Sequence, residues 1–271
     1  MIRQKNILIL LWVVVTLSGR ATAQETMAAT DTNSCRETLT LGIGPSYGVS
    51  RDQGVSPITY QLFALTPYSA FTLDYGRWSW NAELSLSAYI QAKNFHLLQD
   101  WSIQGFGVDA MTLTGCEYRL YQHEKWRMQV GFSATGWLNV AYNKSYMNAC
   151  VGMSGLIAPL VSCKNEWDFW KMTLHVTGST APVGWWYRPG FAYISNYSSG
   201  QTEVETFDDD YHWNATTFPL LKTDVGIDYH FKSGHSLGFT YTWLFMTSRK
   251  SGPWKYEAAR HHLQLVFRIA L

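Results

Sequence analysis

Alternation of apolar and polar residues with a period of two runs through this chain to its last residue. In "HLQLVFRIAL", Leu263, Leu265, Phe267, Ile269 and Leu271 take every second place, and His262, Gln264, Val266, Arg268 and Ala270 fill the gaps. Successive side chains of a strand point to opposite faces, so this period means β-structure and not helix. Terminal residues ordinarily fray; a pattern carried to Leu271 leads us to expect that the closing strand is required by the fold.

The same alternation recurs upstream. "WSWNAELSLSAYI" sets Trp78, Trp80, Ala82, Leu84, Leu86, Ala88 and Ile90 against Ser79, Asn81, Glu83, Ser85, Ser87 and Tyr89. In "WRMQVGFSATGWLNVAY", Trp126, Met128, Val130, Phe132, Ala134, Gly136, Leu138 and Val140 oppose Arg127, Gln129, Gly131, Ser133, Thr135 and Asn139. "LLKTDVGIDYHF" sets Leu221, Val225, Ile227, Tyr229 and Phe231 against Lys222, Asp224, Asp228 and His230. Ten strands are predicted, at about 38–50, 66–76, 78–91, 104–121, 126–142, 149–163, 168–178, 217–231, 236–247 and 260–271. Several exceed the ordinary globular strand and suit a tilted strand that crosses a bilayer.

Connection lengths alternate too. "YGR", "QHEK", "KNEWD" and "KSGHS" are short, the intervening links are longer, and the longest spans about 179–216. Short turns at one end, long loops at the other and an even strand number describe an outer-membrane barrel with both termini on the periplasmic side. The expected fold is an all-β, transmembrane, antiparallel up-and-down barrel.

Composition decides between this and a soluble barrel. Charged residues make up 15%, against about 25% in an ordinary soluble domain. The polar faces are mainly Gly, Ser, Thr and Asn, and no charge falls on the apolar faces as registered. A one-residue slip of the eighth strand would turn Lys222, Asp224 and Asp228 outward, which lipid forbids. Aromatics gather near strand ends: Tyr75, Trp78, Tyr121, Trp126, Trp167, Trp170 and Phe231 toward the short turns, and Tyr89, Trp101, Tyr142, Tyr146, Trp243 and Phe245 toward the long loops. Two such belts suit two membrane interfaces. With 21 Lys plus Arg against 20 Asp plus Glu, nothing points to nucleic acid.

The amino terminus reads as a cleaved export signal over residues 1–23: Arg3 and Lys5, an apolar core from Ile7 to Leu17, and Ala21-Thr22-Ala23. Residues 24–37 would form a short periplasmic segment and 38–271 the barrel. Cys35, Cys116, Cys150 and Cys163 match no zinc or redox spacing, so no metal or other cofactor is expected; their pairing stays open.

The segment "HLQLVFRIAL" resembles the C-terminal signal of bacterial outer-membrane proteins, with Leu271 where an aromatic is usual. That resemblance implies the barrel-assembly machinery as a partner in biogenesis and outer-membrane lipids as the surroundings. Through "GVSPITY", "WSWNAELSLS" and "STAPVGWWYRPGFAY" the chain also resembles the small outer-membrane barrels of the Bacteroidota, roughly over Leu39–Leu271. The resemblance implies a location and a fold.

Two sets of residues are candidates for function. Inside the barrel, Lys171, His175, Asp224, Asp228 and Arg268 are expected at one depth, with Asp74, Glu83, Glu117, Arg119 and Arg127 on the opposite wall. Buried ions persist when paired, so both groups read as internal ion networks. In the long loop, Trp185, Trp186, Tyr187 and Arg188 and the acidic run Asp208, Asp209 and Asp210 could bind sugars or cations, or simply cap the mouth. No catalytic residue is assigned: His235 and Ser236 fall in a short turn, and His175, His230 and His262 point inward. Three classes remain open: a non-enzymatic scaffold, receptor or surface-binding protein; a narrow, porin-like channel or small-solute transporter; and a lipid-acting barrel enzyme.

Overall fold

The computed structural model describes residues 35–52, 59–93, 102–144, 151–189, 211–248 and 255–271. The expected export signal lies outside the described residues. Twelve strands form. The first six are β1 (Cys35–Asp52), β2 (Thr59–Tyr75), β3 (Trp78–Lys93), β4 (Ser102–His123), β5 (Trp126–Asn143) and β6 (Val151–Phe169). They are followed by β7 (Met172–Thr180), β8 (Val183–Pro189), β9 (Tyr211–Thr217), β10 (Leu220–His230), β11 (Ser236–Thr247) and β12 (Tyr256–Ala270). Ten of them, β1 to β7 and β10 to β12, form one antiparallel ladder that closes through β12 on β1, while β8 and β9 are additional.

The closure explains the alternation at the chain's end. Leu39 faces Ile269 and Leu41 faces Phe267 across the seam, and the Leu271 N–H donates to the Glu37 carbonyl at 3.1 Å. Backbone groups at an open edge would go unsatisfied in an apolar solvent, and a closed ladder leaves no edge. The apolar residues face outward all round: Leu41, Ile43, Leu84, Leu86, Phe132, Ile157, Phe239 and Leu265 are all exposed. Their polar neighbours, among them Ser87, Ser133, Thr135, Asn139 and Gln264, are buried inside.

Three strand expectations need correction. The "KNEWD" segment is not a turn but the end of β6, and the chain reverses at Trp170 and Lys171. A dense polar run resembles turn chemistry, yet Lys164, Glu166 and Asp168 alternate with the outward Trp167 and Phe169. Trp170 takes φ 60° in this tight hairpin, a conformation few non-glycine residues adopt.

Second, the segment 179–216 is not wholly loop. The β7 strand breaks at Ala181 and Pro182 and resumes as β8, which pairs with β9 and lies against β6. Val161 faces Thr180 but Ile157 faces Trp185, so one extra residue is accommodated at the break and the inward face changes parity. Third, Tyr89 belongs to no exterior belt; it is buried in the lumen. Trp101 and Tyr146 lie outside the described residues.

Candidate functional site

The lumen has two different halves. Toward the short turns lies a chamber of about 340 Å³, whose lining reaches Gly234 and Ala270. Ionic side chains enter it from most of the ten strands. Asp228 on β10 takes His175 Nδ1 at 3.2 Å and also contacts the Arg268 guanidinium. Two glycines make this arrangement possible. A Cβ on Gly226 would lie 2.3 Å from the His175 ring, and one on Gly238 would lie 2.0 Å from Asp228 Oδ1. The imidazole therefore reaches over β10 and the carboxylate over β11, so the three groups meet across four strands.

Lys222 joins the two groups that the sequence separated. Its Nζ lies 3.2 Å from Asp224 Oδ2 and 3.2 Å from Glu83 Oε2 on the far wall. Asp224 also accepts from the Thr242 hydroxyl at 2.6 Å. Arg127 pairs with Glu166 at 3.1 Å and Asp168 at 3.0 Å, and Lys164 with Glu166 at 2.8 Å. Asp74 accepts from Ser79 Oγ at 2.5 Å, and Arg119 donates to Gln122 at 3.0 Å. Glu117 lines the chamber with its stem over Gly131. Lys171 is the exception: it sits exposed in the β6–β7 turn, because the reversal comes later than the sequence suggested. Lys164, Glu166 and Asp168 were missed for the same reason.

Toward the long connections one side of the lumen becomes apolar, beside a buried polar set that includes Gln91, Asp109, Asn143 and Arg260. Met111 and Leu113 of β4, Trp137 of β5, Leu156 and Leu160 of β6, Leu244 and Met246 of β11 and Tyr256 of β12 converge in one cluster. At its centre is Trp186 of β8, which is 0% exposed. Its ring centroid lies 5.8 Å from that of Trp137 and 5.2 Å from that of Tyr256, and its indole N–H donates to the Thr247 carbonyl at 3.2 Å. Trp186 is thus inside the barrel rather than in a binding loop, a consequence of the parity change after Pro182. Trp185 points outward, Tyr187 is half-buried, and Arg188 faces His212 in the β8–β9 ladder. Asp208, Asp209 and Asp210 lie outside the described residues.

Beside the plug is an ion pair that sequence reasoning did not find. Arg260 and Asp109, 4% and 7% exposed, are in direct contact. The guanidinium also stands over the Tyr89 ring, 5.4 Å from its centroid, and Asn139 Nδ2 donates to the Tyr89 hydroxyl oxygen at 2.6 Å. The available signal was one acidic and one basic residue, each at an inward position of its strand. Cys35, Cys116 and Cys163 are free thiols.

No family model matches this sequence, and no curated relative matches it. Solved structures do. The outer-membrane protease OmpT of Escherichia coli superposes with a TM-score of 0.55 at 9% identity, over 90% of this chain and 100% of its own. The translocator domain of the autotransporter NalP from Neisseria meningitidis gives a TM-score of 0.40 at 9% identity, covering 94% of this chain and 96% of that one. The transport unit of the autotransporter AIDA-I from Escherichia coli gives 0.40 at 7% identity, covering 93% and 95%. The first of these likenesses shows a shared barrel fold.

Proposed function

We propose that this chain is a bacterial outer-membrane barrel, closed in its resting state, that acts as a non-enzymatic scaffold, receptor or surface-binding protein. One observation carries the reading: Trp186, Trp137 and Tyr256 meet inside the barrel in one buried cluster on its loop side. The ladder without an edge and the apolar exterior support insertion in lipid. Export by a signal at residues 1–23, assembly by the barrel-assembly machinery and a relation to Bacteroidota barrels belong to the same proposal.

A shared fold transfers no activity, and the likeness to the protease named above is one of fold at 9% identity. The His175–Asp228 contact also carries Arg268 and sits in the chamber's ion network, which suits a structural cross-link better than a general base. The chamber of about 340 Å³ favours a second reading, a narrow channel. Planar-bilayer recording of the purified full chain separates the two. We expect a silent bilayer; stable nanosiemens-scale openings from the unmodified protein would put the channel first.

A further inference from the structure

We propose that the chamber is a binding site for a small organic cation, a primary ammonium on a short aliphatic body, with Glu117 as its counter-ion. This rests on the reading of a closed, receptor-like barrel, and gives that receptor a ligand class and a place to hold it.

Glu117 is the acid that the internal network leaves over. Every other carboxylate lining the chamber has a close partner: Asp74 takes the Ser79 hydroxyl, Glu83 and Asp224 share Lys222, Glu166 holds Lys164 and Arg127, and Asp228 holds His175 and Arg268. Among the described residues Glu117 makes neither a side-chain hydrogen bond nor an ion pair within 4.0 Å. The bases near it are engaged elsewhere, Lys164 with Glu166 at 2.8 Å and Arg119 with Gln122 at 3.0 Å. One base, Lys164, acts on its charge from a distance, against three acids, Glu83, Glu166 and Asp74. A carboxylate taken from water without a partner is costly, and a cation beside it offsets that cost.

Two amide oxygens beside this carboxylate are unpartnered as well. Gln129 lines the chamber at 7% exposure and its Oε1 accepts no hydrogen bond; Asn81 Oδ1 is enclosed in the same way. The ladder places both diagonally next to Glu117. Directly across from Glu117 stand Ser79 on β3 and Gly131 on β5. Asn81 is the next inward residue after Ser79, and Gln129 the one before Gly131. Gly131 has no side chain to stand between them, and a Cβ there would lie 2.9 Å from Glu117 Cγ. Carboxylate and carbonyl oxygens only accept, so the group that completes this wall is a donor with positive charge.

The chamber also selects among cations. A primary ammonium carries three donors, one for the carboxylate and one for each carbonyl. For a metal ion, no three His, Cys, Asp or Glu side chains come together among the described residues. The volume of about 340 Å³ exceeds what an inorganic ion needs and lies at the small end of the roughly 300–1,000 Å³ of small-molecule sites. Met111, Leu113 and Leu244, all buried, line it too and give a short aliphatic body an apolar surface. Arg36 and Gly234, both exposed, belong to the same lining, so the site is reached from the short-turn end.

The test titrates the purified full chain, in nonionic detergent near neutral pH, with n-butylammonium chloride, and with n-butanol and sodium butyrate as the neutral and anionic probes. Saturation-transfer NMR and calorimetry report binding. We expect saturable binding of the cation and none of the other two. Glu117→Gln keeps the shape and should weaken the cation at least about tenfold, the loss of a charge-assisted hydrogen bond. Gln129→Leu should weaken it less, and serves if Glu117→Gln fails to give a heat-modifiable band. Thr240→Val removes a hydroxyl from another wall of the chamber and should bind like the parent. No binding of the cation, equal binding of butanol or butyrate, or an affinity unmoved in the folded Glu117 or Gln129 variant would overturn the site. Planar-bilayer recording of the same preparation keeps the two readings apart. A parent that binds but conducts would overturn the closed barrel and leave the site; a silent parent that does not bind would do the reverse.

Discussion

The Arg260–Asp109 pair shows how little freedom a single lumen residue has. Asp109→Ala would leave a guanidinium that is 4% exposed without its counter-ion. Removing one partner of a buried pair costs on the order of 3–5 kcal/mol, whereas replacing both by apolar residues of similar volume is often close to neutral. We therefore expect Asp109→Ala to lower the temperature at which the folded band is lost in heat-modifiability gels, and Asp109→Leu with Arg260→Met to recover most of the difference. A single variant as heat-resistant as the parent would show that water already hydrates the guanidinium. Alternation reveals which face such a residue occupies, but not its partner, because pairing depends on shear between strands distant in sequence. Asp109 and Arg260 are 151 residues apart and Lys222 and Glu83 are 139 apart. The same limit hid the plug: Trp137 stands at an inward position between Thr135 and Asn139, where a polar lumen was the natural expectation.

At the scale of the element, a strand with one side chain in two facing lipid was readable wherever the period ran without interruption. β12 is the plainest case. Its outward set, including Leu263, Leu265 and Phe267, is exposed, while Gln264 and Val266 are buried. Leu265→Arg puts a charge near the middle of the apolar band at about 2–4 kcal/mol, and Gln264→Arg puts the same charge in the lumen. Folding yields in detergent or lipid should fall for the first variant more than for the second; the reverse order would mean the barrel sits in water. Removing Phe267 to Leu271 also takes away the β12 residues that face Leu39 and Leu41, and we expect no heat-modifiable species from that truncation. The period failed as a guide where a strand changes face. Nothing in "STAPVGWWYRP" announces that Pro182 shifts inward pointing from Ser179 to Trp186. That shift needs the ladder to β6, and so does the difference between a binding loop and a plug.

Strand bounds and connection lengths together orient the whole molecule. Two-residue reversals join β2 to β3, β4 to β5 and β6 to β7, and β10 meets β11 through a short turn over Phe231–His235. The other connections, including the one from Pro189 to Tyr211, all emerge at the opposite end. In the proposed outer-membrane setting, where barrels keep their short turns on the periplasmic side, the chamber is expected to face the periplasm and the Trp186 plug the cell exterior. An epitope inserted after Ser199 should then bind antibody on intact cells, and one inserted at Gly234 only after the outer membrane is opened. The opposite pattern would invert the barrel and place the chamber mouth outside, where solutes would reach Arg268 and Asp228 from the cell exterior. The orientation thus decides from which side a solute meets the chamber.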